Sequence, residues 1–216
     1  MPLFLMKGVK IMHFTGTKYL HEIESLMQGV PGFSVKGHGG IILKKEMEDC
    51  IRGQPPPDNY EEMMSEIMAA VHYKPLGERL SRYLKESEGK AVGYRNEKHR
   101  EVFEEITAKM DKKNYALLSA LYLLTADHRL WKIMKHHTQK NGVDFQNVSL
   151  KGIHENGYTL YCVAKDLYLG TKHLSVSDLA DTELIRPQMF MLVCNAMAVR
   201  RFGLKAIRLA ERRENP

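Results

Sequence analysis

Cysteine, tryptophan and proline are scarce in this 216-residue chain, which has three Cys, one Trp and eight Pro. The three thiols, Cys50, Cys162 and Cys194, are odd in number, widely spaced and never in a CxxC pair. That pattern argues against a disulfide framework or a structural zinc site and fits reduced thiols in a cytosol. Apolar runs are also short, and none approaches the eighteen or so residues of a membrane span. The opening MPLFLMKGVKIM is interrupted by Lys7 and Lys10 and is too short for a signal-peptide core. A cytoplasmic protein with no membrane partner is expected.

Sequence motifs that carry chemistry are missing as well. KGHGG, residues 36–40, has neither the GxGxxG spacing nor the lysine of a P-loop, and reads as a turn. There is no GxSxG, HExxH or paired Glu-x-x-His, so acyl transfer, zinc proteolysis and di-iron chemistry have no support in the residues. Ten histidines raise the question of a metal, with His128, His136, His137, His154 and Cys162 in one half of the chain. Adjacent His136 and His137 would point about 100° apart on a helix and neither has a histidine four residues away, so they read as surface or half-buried polar residues. Each cysteine lies in an apolar stripe, the setting of an inert buried thiol. The expectation is a protein without catalytic residues, metal or cofactor.

What is present is a helical pattern. Hydrophobic residues make up 44% of the chain and charged residues 27%, a balance that excludes a disordered polymer and supports a substantial core. Thr17 can cap a first helix with Leu20, Ile23, Met27 and Val30 on one face, ended by Gly29 and Pro31. A glycine-rich loop or short hairpin follows, and RGQPPP, residues 52–57, interrupts any regular element. Asp58 and Glu61 suggest a capping box for an amphipathic helix carrying Tyr60, Met63, Met64, Ile67, Met68 and Val71. Pro75 suits the first turn of the next, with Leu76, Leu80, Tyr83 and Leu84. The break at Gly89 and Gly93 predicts a division into 1–92, an N-terminal helical subdomain, and 93–216, a helical core domain ending in a basic segment.

In that second part Val102, Phe103, Ile106 and Met110 mark another helical face, and Asn114 caps a run, Tyr115 to Leu124, that is apolar all round. A helix of that kind must lie at the centre of a bundle. Thr125 or Asp127 can cap the basic helix that follows, through Lys135. Tyr158, Tyr161, Ala164, Leu167 and Tyr168 predict a further helix, Asp181 a short one, and Pro187 opens a second central helix over about 188–201, stopped near Gly203 and packed on the first. The predicted fold is mainly all-α, a bundle around two buried helices, with a small β element near the N-terminus.

Three stretches, YALLSALYLLTADHRLW, YTLYCVAKDLYLG and LADTELIRPQMFMLVCNAMAVRRFG, carry a resemblance over His99 to Gly203. This half of the chain resembles an uncharacterised helical domain of phages, plasmids and conjugative elements of Gram-positive gut bacteria. TKYLHEIESLMQGVPGF similarly resembles the openings of small accessory proteins on such elements. The resemblance implies mobile-element cargo and brings no catalytic or binding residues with it.

Charge supplies the candidate site. The net charge is +6 and the isoelectric point near 9.1, which favours an anionic partner. RLWKIMKHHTQK holds Arg129, Lys132, Lys135 and Lys140 with no acidic residue. RRFGLKAIRLAERR holds six basic residues against Glu211, and on a helix Lys205, Arg208 and Arg212 share a face with Arg201 one turn earlier. These faces could neutralise phosphates or meet an acidic protein groove, or could be solvated helix ends whose cations complement a macrodipole. Met63, Met64 and Met68 suit either a partner surface or, more commonly, a core. Two functions are compatible with these features. One is a non-catalytic inhibitor of anti-CRISPR type that binds a host defence effector such as a CRISPR nuclease, with DNA or guide RNA as further partners. The other is a DNA-binding regulator or transfer accessory of the element.

Overall fold

The computed structural model describes residues 57–69, 73–88, 90 and 92–212, all within the compact unit that spans Ile41–Pro216. The expected helix after Thr17, the glycine-rich segment, the β element near the N-terminus, Val71 and Cys50 lie outside the described residues. The described part is mainly all-α. Its nine helices are α1 (Tyr60–Ala69), α2 (Lys74–Glu86), α3 (Glu97–Ala108), α4 (Tyr115–Thr125), α5 (His128–Met134), α6 (Glu155–Leu169), α7 (Val176–Ala180), α8 (Pro187–Phe202) and α9 (Lys205–Glu211). A 3-10 turn, Lys135–His137, leads from α5 into an antiparallel pair, β1 (Thr138–Gln139) and β2 (Gly142–Val143), with Thr138 opposite Val143. Two residues per strand are too few to leave an alternation in the sequence, and the hairpin was not foreseen.

The core is built around α4, which packs on α6 and α8. Every residue from Leu117 to Thr125 is buried, as the apolar run predicts. Asn114 caps this helix by accepting a hydrogen bond from Leu117 N at 3.1 Å. The buried hydroxyls of Ser119 and Thr125 donate to the carbonyls of Ala116 and Leu121, so no polar group of these two side chains is left dry. Burying the five leucines of α4 is worth about 10 kcal/mol before chain entropy is counted. The second central helix, α8, starts at Pro187 and buries Phe190, Leu192, Val193, Ala196 and Val199. It stops where Gly203 adopts φ +69°, ψ −156°, a conformation almost confined to glycine, with the Tyr115 ring 2.6 Å from where a Cβ would stand.

Caps depart from expectation in two places. Asn59, not Asp58, caps α1: its Oδ1 accepts from Glu62 N at 2.8 Å, while Glu62 Oε2 accepts from Asp58 N at 3.2 Å. The cap is therefore displaced by one residue, and Glu62 reaches back to the residue before it and not to the cap itself. The short helix near Asp181 lies before that residue rather than after it. Ser175 and Asp178 form the capping box of α7, whereas Asp181 closes the helix and its carboxylate turns the chain by accepting from Glu183 N and Leu184 N. The box Ser-x-x-Asp satisfies the amides of both its own members reciprocally, Asp178 N on the Ser175 hydroxyl and Ser175 N on the Asp178 carboxylate.

α1 and α2 precede residue 92, yet their apolar faces share one core with the helices after it: α1 packs on α8 and α9, and α2 on α7. Met63 and Met64 are fully buried there and Met68 partly, so the methionine cluster is core. A polar pin runs through this contact. Asn195 Oδ1 accepts from Tyr60 Oη at 2.7 Å, and its Nδ2 donates to the Val92 carbonyl and to Tyr122 Oη, the latter at 3.2 Å. Tyr122 Oη in turn donates to the Gly93 carbonyl at 2.6 Å. Arg79, only 6% exposed, is a second pin: its guanidinium donates to the carbonyls of Leu179, Asp181 and Ile185 and lies 4.2 Å from the centre of the Phe190 ring.

Candidate functional site

The basic helix α5 is positioned from its first turn. Asp127, the second of the two residues offered as its cap, accepts from Arg129 N and Leu130 N at 3.1 and 3.0 Å. Its other oxygen lies 3.2 Å from His154 Nε2 and 3.5 Å from Arg95 Nη1. One buried carboxylate thereby ties α5 to the start of α6 and to the segment before α3. His154 is itself the cap of α6, its Nδ1 accepting from Gly157 N at 3.1 Å. Both ring nitrogens are thus engaged, and His154 has no lone pair to offer a metal or a substrate proton. Histidine is outside the usual set of capping residues, so nothing in the sequence pointed to this role.

Leu130 and Met134 turn inward from α5, and Arg129, Lys132 and Lys135 turn out. Thr138 Oγ1 bonds the Met134 carbonyl at 2.8 Å and Asp144 N bonds the His137 carbonyl at 2.8 Å, which folds the hairpin back on the helix end. Behind it Phe145 packs on the rings of Tyr161 and Tyr168, and Tyr161 Oη donates to the Phe145 carbonyl. Lys140 is exposed in the hairpin turn. Arg129, Lys132, Lys135 and Lys140 thus occupy one continuous segment, and among the described residues no carboxylate lies within 4 Å of any of them.

The C-terminal cations are divided. Gly203 separates Arg201, in the last turn of α8, from α9, so they do not share one helix. Arg201 is half-buried, donates to the Glu66 carbonyl and to Glu66 Oε2, both at 3.3 Å, and lies over the Phe202 ring. On α9 Lys205 is half-buried and Arg208 exposed, and Arg212, just past its end, is exposed as well. α5 packs on α4 and α6, whereas α9 packs on α8 and α1. The same end of α9 carries a local ion-pair group in which Arg100 reaches Glu211 at 3.2 Å and Glu104 at 3.3 Å.

Titratable groups elsewhere serve the fold. Burial pushes the Cys194 thiol up to about 12 and raises that of Cys162, so neither is a thiolate nucleophile at neutral pH. Asp166 fastens the loop after α6 by accepting from Thr171 Oγ1, His173 N, His173 Nδ1 and Leu174 N. Burial alone would raise its carboxyl, but the hydrogen bonds from His173, Leu174 and Thr171 outweigh that and hold it low. Among the described residues no group of three or more His, Cys, Asp or Glu side chains is arranged to hold a metal ion, and no helix is long and apolar enough to cross a membrane. No protein-family model, curated protein or solved structure matches the chain.

Proposed function

We propose that this chain is a mobile-element accessory protein that binds and inhibits a host defence nuclease complex, an inhibitor of anti-CRISPR type with no chemical step of its own. The genetic setting comes from the resemblance over residues 99–203. The binding mode rests on a single observation, the exposed set of Arg129, Lys132, Lys135 and Lys140, uncompensated among the described residues. Nuclease effectors of this kind hold guide and target in a positively charged channel. A chain of net charge +6 would be repelled by that channel, so it would act on the nucleic acid or on an acidic face of the effector.

Exposed Arg208 on α9 and Arg212 just past its end favour a second reading, a DNA-binding regulator or transfer accessory of the element. A pull-down against a panel of CRISPR effectors and against duplex DNA, at low and high salt, separates the two. Capture of an effector complex with loss of its cleavage is the result expected of the inhibitor. Capture of DNA alone, lost at high salt and with every effector still cleaving, would overturn it in favour of the regulator.

A further inference from the structure

The stripe on α5 and the hairpin has a composition that selects among anionic partners. The helix rises about 1.5 Å per residue, so Arg129 and Lys132 stand about 4.5 Å apart along α5, and Lys135 follows at the start of the 3-10 turn. Lys140 is exposed on the hairpin turn that follows. A protein groove would be gripped by a buried aromatic or aliphatic anchor with the charges at its rim. This surface has no such anchor: Leu130 and Met134 are buried, Trp131 packs against the core, and α5, the 3-10 turn and the hairpin carry no exposed large apolar side chain. The missing exposed aromatic also removes the stacking platform that single strands need. Nor is α5, at seven residues with its inner face packed on α4 and α6, free to enter a major groove and read base edges. What is left is a set of point charges with no device for stacking, for base readout or for apolar docking.

We infer that Arg129, Lys132, Lys135 and Lys140 form a docking surface for the phosphate backbone of a nucleic-acid duplex, bound without regard to sequence. This deepens the reading above, resting on the stripe as the working surface, and names its partner. Charge complementarity alone holds the complex, so binding releases counterions in proportion to the cations engaged. With four of them, log K against log salt falls with a slope of about −3.6 on duplex DNA.

The test is fluorescence anisotropy of the full chain with two labelled DNA duplexes of unrelated sequence, an RNA duplex and the corresponding single strand, over a salt series. The expected result is like affinity for the two DNA duplexes, weaker binding of the single strand, and a slope that K132A/K135A reduces by about 1.8, since each lysine releases about 0.9 of a counterion equivalent. The RNA arm decides whether the surface takes A-form as well as B-form duplex, and affinity for either form supports the site. Glu104→Gln, remote from the stripe in the α3 ion-pair group, leaves the slope unchanged. The inference is overturned by absence of duplex binding, by tighter binding of the single strand, by strong preference for one duplex sequence, or by an unchanged slope in K132A/K135A. It is equally overturned if an acidic protein competes for the stripe while duplexes do not. The substituted lysines are exposed, and an unchanged melting temperature verifies folding. Because no effector is present, failure here overturns this site alone, whereas duplex binding without inhibition of any effector overturns the inhibitory reading alone.

Discussion

His99 is a titratable side chain that the core has made a fixed dipole. It is 2% exposed, ringed by Tyr94, Phe103 and Tyr122, and accepts at Nδ1 from Arg95 N, so its proton sits on Nε2 and is donated to the Tyr122 carbonyl at 2.8 Å. Burial lowers its pKa to about 4, the bond to Tyr122 opposing the shift and Arg95 assisting it. Unfolded, the same ring titrates near 6.5. The folded state therefore binds fewer protons, and the stabilisation is complete above about pH 6.5 and lost as the pH falls to about 4, amounting to about 3 kcal/mol. Denaturant titrations across that window should show the loss in the wild type and not in His99→Gln. Equal pH dependence in the two would assign the acid sensitivity to other groups. Nothing in the sequence marked His99 as a core residue, because its two partners come from the preceding loop and from α4.

At the scale of elements the caps decide how helices meet. Asp127 begins α5, and through His154 it also anchors the beginning of α6. Asp127→Ala removes two amide acceptors and leaves His154 Nε2 and Arg95 facing a void, an expected cost of about 2–3 kcal/mol in chemical denaturation. Asp127→Asn keeps an acceptor for the helix amides and should cost less than half as much. If the two substitutions are equally mild, the carboxylate is a cap and nothing more. The arrangement also bears on the stripe, since Arg129 is the residue whose amide Asp127 holds, so the alanine variant should weaken duplex binding more than the asparagine variant does. The sequence allowed Asp127 as a cap, but the tie to α6 joins residues 27 apart and leaves no mark in any local pattern.

Across the whole molecule the unusual feature is a polar pin inside an apolar bundle. Asn195 joins α8 to α1 through Tyr60, to α4 through Tyr122, and to the segment before α3 through the Val92 carbonyl. Val92 N also donates to the Ala210 carbonyl at 3.1 Å, which brings α9 into the same junction. An apolar face tolerates rotation and sliding of one helix on another, whereas a satisfied amide fixes register. Asn195→Leu removes the acceptor 2.7 Å from the Tyr60 hydroxyl and the donor to the Val92 carbonyl in a dry interior and is expected to destabilise by about 2–5 kcal/mol. A double-mutant cycle with Tyr60→Phe should show coupling well above measurement error, and additive effects would remove Asn195 from the pin. In the sequence this asparagine reads as one polar interruption in MFMLVCNAMAV and gives no hint of its partners, the most distant of which is 135 residues away.

Sequence alone determined the helical class, the central position of Leu117 to Leu124 though not of Tyr115, which is exposed, the packing of the Pro187 helix upon that run and most helix limits, because apolar period, proline, glycine and capping side chains act within a turn or two of chain. It also determined which segments are basic, charge being a property of composition. Only the tertiary structure decided which of those cations are uncompensated. Arg201 is held by Glu66 and separated from α9 by Gly203, while Arg129, Lys132, Lys135 and Lys140 have no carboxylate beside them among the described residues. Ion pairing depends on distance through space, and the helices that bring Glu66 to Arg201 are set side by side by core packing, to which neither charge contributes.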